Sequence, residues 1–256
     1  MKKQIISMTL FIIICSIFTC TNVLAQGVAV YKKTGEVMKI PYEELDSIVT
    51  YNDEGEDVIQ TEMVQGHECI DLGLSVKWAT CNIGADSPEG YGDYYAWGET
   101  STKSEYSWET YKWCNETGRS LTKYCCNSSY GSVDDKTVLD KSDDVAYVSW
   151  GNKWRIPTHE EFNELCDKCQ IEETTLNGIN GVLVTGPNGN SLFLPKSGYY
   201  KEEHLSDLGK YGNYWGANAQ DVLCYVASRL MFGSITPFPS YSGNRYCGYP
   251  VRPVTE

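Results

Sequence analysis

The sequence predicts an α+β domain of short strands, few helices and long loops, on three observations. From Gly66 onward tryptophan and tyrosine are dense, as in VKWATCNIG, YGDYYAWGET, YSWETYKWC and SWGNKWRIPT, and turn-forming residues punctuate them every few positions. One stretch alone, PTHEEFNELCDKC, carries a strong helix signature. Strand and helix patterns do not alternate along the chain, which argues against a doubly wound parallel sheet.

The elements follow in order. Lys2 and Lys3 precede an apolar run from Ile5 to Phe18 and a small-residue exit, NVLAQG. This is the pattern of a secretory signal cut after Ala25, and at about 14 residues the run is short for a membrane span. Residues 1–25 are therefore expected to be removed, leaving an extracytoplasmic protein; no second apolar segment of spanning length follows. Residues 26–51 form a small β unit: two alternating runs flank Thr34–Gly35 as in a hairpin, YEELDS suits a helical turn, and SIVTY resumes a strand. Residues 52–65, acidic and with a turn-forming glycine, read as a linker before a domain at 66–256. There, Thr158 and Glu161 make a capping box, with Phe162, Leu165, Cys166 and Cys169 on one helix face. A weaker helix starts near Ser142. After Asn177 short strands and turns run to the end.

Net charge moves from -13 to -15 once the leader is gone, because that segment holds two lysines and no acid. An acidic surface argues against nucleic acid and anionic lipid as partners. Eleven cysteines leave nine after the leader, and an exported protein can oxidise them, so disulfides are expected, with at least one thiol left over. No spacing fits a metal site. The adjacent carboxylates Asp143–Asp144 and Glu160–Glu161 suit helix starts rather than catalysis. The three histidines show no serine or cysteine partner in sequence. Neither a metal nor a cofactor is expected.

HECIDLGLSVKWATCNIGA, YGDYYAWGET, YKWC, LTKYC, WRIPTHEEF, TGPNGNSLFLP, YGNYWGAN and VRPV, in this order from His67 to Val254, resemble the Fibrobacter succinogenes major paralogous domain. That family is common in secreted proteins of Bacteroidetes and is related to the formylglycine-generating, sulfatase-modifying proteins. The resemblance implies a C-type-lectin-like fold: a small twisted antiparallel sheet, two helices and long loops, with the terminal strands near a ligand-facing side. Formylglycine-generating enzymes bind copper through two cysteines with four residues between them near the C-terminus; Cys224 and Cys247 are too widely spaced for that. The calcium-binding motifs of C-type lectins are absent as well.

Some lectin-fold proteins of this kind are diversified by retroelements that mutate adenines, which leaves Lys, Glu, Gln, Trp and Met out of reach. Residues 221–250 contain no Lys, Glu, Gln or Trp, and Met231 is the one exception to that pattern. Ala227, Leu230, Phe232, Pro237, Arg245, Gly248 and VRPV read as a fixed frame. The candidate ligand-binding residues are Trp215, Asn218, Ser228, Arg229, Ser234, Thr236, Phe238, Ser240, Tyr241, Ser242, Asn244, Tyr246, Cys247 and Tyr249. Tyr, Ser, Gly, Asn and Arg are the residues of paratopes, because they combine rigid area with adaptable hydrogen bonding. The sequence is thus expected to encode a non-enzymatic recognition protein for a protein or glycan ligand at the cell exterior. The alternatives are an enzyme on the formylglycine-generating fold, using Cys125–Cys126, and a structural surface component.

Overall fold

The computed structural model describes residues 27–31, 37–41, 48–51, 57–115, 120–233 and 238–256. The expected signal segment, the expected turn at Thr34–Gly35, YEELDS and residues 52–56 lie outside them. The chain divides into two units at Ile48. In the first, β1 (Gly27–Tyr31) and β2 (Val37–Pro41) form an antiparallel hairpin, Gly27 opposite Pro41 and Tyr31 opposite Val37.

The second unit consists of small, largely antiparallel sheets with few helices. β3 (Ile48–Tyr51) leads into β4 (Asp57–Val64), so residues 57–64, within the expected linker, form a strand instead. β4 pairs with β5 (His67–Ile70) through a tight turn in which Gln65 and Gly66 both take positive φ. β6 (Lys77–Ala79) extends this sheet. Next come α1 (Val145–Trp150) and α2 (His159–Lys168). β7 (Gln170–Leu176), β8 (Ile179–Thr185) and β9 (Ser191–Pro195) form a meander. β10 (Tyr199–Lys201) and β11 (His204–Ser206) pair with each other. β12 (Gly212–Ala219), β13 (Val226–Phe232) and β14 (Phe238–Asn244) make a second three-stranded sheet, with β13 central. β15 (Val254–Thr255) returns to β6 and completes the order β15-β6-β5-β4-β3.

Both expected helices form, for local reasons. At α2 the Thr158 hydroxyl accepts from Glu161 N while the Glu161 carboxylate accepts from Thr158 N, satisfying two amides that the first turn leaves unpaired. Glu161 also holds Arg155 in a bidentate pair. At α1 the Asp144 carboxylate caps the amides of Ala146 and Tyr147. Phe162 and Leu165, about one helical turn apart, pack with Trp78, Val182, Val184, Tyr214, Leu230 and Phe232 into one core between α2 and two sheets.

The long segment from Thr80 to Asp140 has little regular structure, yet much of it is buried. Buried carbonyls need donors, and without neighbouring strands these must come from elsewhere. Aromatic tips supply them. Within the segment Tyr106 OH donates to Tyr94 O, Tyr111 OH to Trp97 O and the Trp215 indole to Tyr95 O; Tyr94 OH and the Trp97 indole reach out of it to Ser197 O and Gly216 O, and the Trp154 indole holds Val64 O at the end of β4. Each ring adds apolar burial while its polar end pins a loop, which is the physical content of the Trp- and Tyr-rich texture.

Candidate functional site

The candidate site is carried by β13 and β14. Arg229 lies opposite Trp215 on β12 and opposite Ser240 on β14, whereas Leu230 lies opposite Tyr214 and Pro239. Alternation therefore turns Asn213, Trp215, Arg229 and Ser240 to one face and Tyr214, Ser228, Leu230 and Phe232 to the other, against α2. A bulge interrupts the pairing: Ala227 faces Gly243 but Ser228 faces Tyr241, leaving Ser242 unpaired and exposed. Such a bulge re-aims side chains at a sheet edge, and β14 is that edge. Gly243 is required here, because a Cβ would lie 2.4 Å from the Trp215 ring.

On the first face the Arg229 guanidinium is oriented by three neutral groups. It donates to Asn213 Oδ1 at 2.9 Å, to the Tyr249 hydroxyl at 3.1 Å and to Ser242 Oγ at 3.1 Å. Its head lies 5.5 Å from the Tyr249 ring centre, within cation–π range. Tyr249 packs on Trp215 at 4.3 Å, so the support is stiff. The Ser240 and Ser242 hydroxyls are hydrogen-bonded at 2.7 Å beside it. Among the described arginines, Arg155 is paired with Glu161 and Arg245 and Arg252 are buried. Arg229 is the one that reaches solvent without a carboxylate partner.

On the other side His159, the first residue of α2, stacks on Tyr241 with ring centres 4.2 Å apart. Its Nδ1 lies 3.0 Å from Ser228 Oγ, and its backbone N donates to Asn218 Oδ1 at 2.8 Å. Burial lowers the imidazole pKa below its ordinary value, so near neutrality the ring is uncharged and Nδ1 shares one hydrogen bond with the Ser228 hydroxyl. A histidine thus has a serine partner that the sequence did not reveal. Ser228 is fully buried, so its oxygen is closed to a substrate and the pair fixes the Tyr241 ring.

Compared with family models, curated proteins and solved structures, the chain matches none.

The geometry of the site divides the expected residues. Arg229, Ser240, Tyr241, Ser242, Asn218 and Asn244 keep solvent exposure. Trp215, Ser228, Cys247 and Tyr249 are buried and are not displayed. Trp215 and Tyr249 form the floor under Arg229, Ser228 points at α2, and burial pushes the Cys247 thiol up to about 11. Tyr246 is half-buried against Trp108 at 4.9 Å, in the aromatic cluster of Tyr106 and Tyr111, and burial raises its phenol to about 12. Ser234 and Thr236 lie outside the described residues, as does the Phe238 side chain. The expected frame is buried at Ala227, Leu230, Phe232, Arg245 and Val251 to Val254; Pro237 lies outside the described residues.

His159 belongs to the site but was not expected there, and Asn213 was expected only as the first position of a face spanning residues 213–249, not as a contact residue. Asn213 is buried within YGNYWGAN, and its side chain is itself held by Gly198 O. Elsewhere, an open cleft of about 450 Å³ is lined by Glu105, Ser107, Glu109, Glu202, Glu203 and His204. Among the described residues no cluster of His, Cys, Asp or Glu is arranged to hold a metal ion.

Proposed function

We propose that this chain is an exported, non-enzymatic recognition protein of C-type-lectin-like fold, akin to the Fibrobacter succinogenes major paralogous domain. It binds a protein or glycan ligand through the edge formed by β13, β14 and the start of α2. The observation that carries this reading is Arg229: a guanidinium held in place by neutral partners, open to solvent and free of a carboxylate. Arg and Tyr tend to dominate interface energetics when seated on a packed floor. Here Trp215 and Tyr249 form the floor, Ser240 and Ser242 supply adaptable hydroxyls, and the His159–Tyr241 stack supplies flat aromatic area. Contact residues can be exchanged on such a scaffold because its buried anchors hold the backbone.

The test uses the purified chain on two arrays, one of neutral and acidic oligosaccharides and one of purified exoproteins. A ligand found on either is expected to lose tenfold or more in affinity, about 1.4 kcal/mol, with Arg229→Ala or Tyr241→Ala. Tyr241→Ala should keep the wild-type melting temperature within about 2 °C, while Arg229→Ala takes a donor from the buried Asn213 and Tyr249 oxygens and should lower it by roughly 2–8 °C with a single cooperative transition retained. Binding that survives the double variant overturns the proposed face. Copper-dependent oxygen consumption by the purified chain overturns the non-enzymatic reading.

A further inference from the structure

Away from that face, three cysteines meet. The Asp134 carboxylate gathers the loop around them by accepting from Tyr124 N at 2.9 Å and Cys125 N at 2.8 Å. So held, the Cys125 thiol donates to Asn127 O at 3.1 Å, with the Cys224 thiol near enough to raise its pKa. The Cys224 sulfur in turn accepts from the amide of Cys126 at 3.3 Å. Cys125 and Cys224 are fully buried, whereas Cys126 is only partly so.

Arg245 lies against the same cluster. It is fully buried, donates to Tyr124 O at 2.9 Å and sits 4.6 Å from the Trp97 ring centre. Its Nε and Nη1 have no hydrogen-bond partner, and the charges it interacts with include the three cysteines. Burial raises the Cys125 and Cys126 thiols, and the buried guanidinium with its unused donors offsets part of that cost at Cys125.

We propose that Cys125 and Cys224 form a disulfide, closed by exchange with a small-molecule disulfide that enters at Cys126. The Cys126 thiolate attacks one sulfur of the reagent, forming a mixed disulfide and releasing one thiolate. Cys224 attacks the Cys126 sulfur and releases the second. Cys125 then attacks Cys224, forming the final bond and returning Cys126 as a thiol. Overall two protein thiols are oxidised, the reagent disulfide is reduced to two thiols, and the two protein protons end on them. The bond ties the 121–136 loop to a residue just ahead of β13, the strand that carries Arg229. This inference does not depend on the proposed function.

The experiment starts from the purified chain, reduced, desalted and incubated with oxidised glutathione. Free thiols are then alkylated under denaturing conditions and the digest is mapped by tandem mass spectrometry. The expected product is a Cys125–Cys224 crosslink with Cys126 alkylated. Cys126→Ser is expected to form the same crosslink at least tenfold more slowly, and Cys125→Ser to divert the bond to Cys126. Cys224 recovered alkylated, or bonded to a cysteine outside this cluster, overturns the pair. An unchanged rate in Cys126→Ser overturns the entry role.

Discussion

Replacing Asp144 by alanine is expected to destabilise the domain by about 3 kcal/mol. The carboxylate, 6% exposed, accepts three backbone N–H groups: Ala146 at 2.9 Å, Tyr147 at 3.2 Å and Ile156 at 2.9 Å. The first two cap α1, and losing an N-cap acid costs about 1 kcal/mol. The third holds the strand-like segment that leads into α2, and Ile156 is itself buried, so its orphaned amide costs about 2 kcal/mol more. For a domain of this size a loss of 3 kcal/mol lowers the melting temperature by roughly 6–12 °C. Asp144→Asn keeps an acceptor for the cap but sets its amide group against Ile156 N, so its shift should be intermediate. Calorimetry of the three proteins at one scan rate measures the series. A melting temperature for Asp144→Ala within 2 °C of wild type would refute the idea that this carboxylate joins α1 to the arm carrying His159.

Two further outcomes concern the site. Because burial lowers the His159 pKa, the unfolded chain binds more protons below pH 6.5, so stability rises with pH across that window. The contribution of the neutral ring is present above about pH 6.5 and is lost as pH falls through the folded value. Wild type should therefore lose more melting temperature between pH 7 and pH 5 than His159→Gln does; equal losses would show that this ring carries none of the effect. Sequencing the codons for residues 221–249 from many cells of one culture should find substitutions at Arg229, Ser240, Tyr241, Ser242 and Asn244. Changes falling equally on Ala227, Ser228, Leu230, Cys247 and Tyr249 would count against a diversified face, since these side chains are buried.

What the sequence made legible was local. The capping box of α2 lies within four residues, and the spacing of Leu230 and Phe232 marks one face of a strand without outside help. The loops were not legible in detail, because their partners are remote: Tyr94 and Ser197 are 103 residues apart, Trp215 and Tyr95 120. Composition announced aromatic anchors but not which carbonyl each would hold. The site was legible in part for the same reason. Arg229, Ser240 and Tyr241 stood out by residue type, but one unpaired residue at Ser242 shifts the face of everything beyond it, which composition does not record. Ser228 looked like a contact residue until a histidine 69 residues earlier claimed its hydroxyl.

The return of β15 to β6 has a kinetic consequence. Val254 pairs with Trp78, and Arg252 reaches back 173 residues to Ala79 O. Contacts so distant along the chain form late, after the loop entropy between them has been spent. Until then the β6 edge stands open, with Trp78 beside it. During that interval a second nascent copy offers the same strand at the same edge, so the slow step of folding is also the moment at which strand exchange between molecules competes with closure.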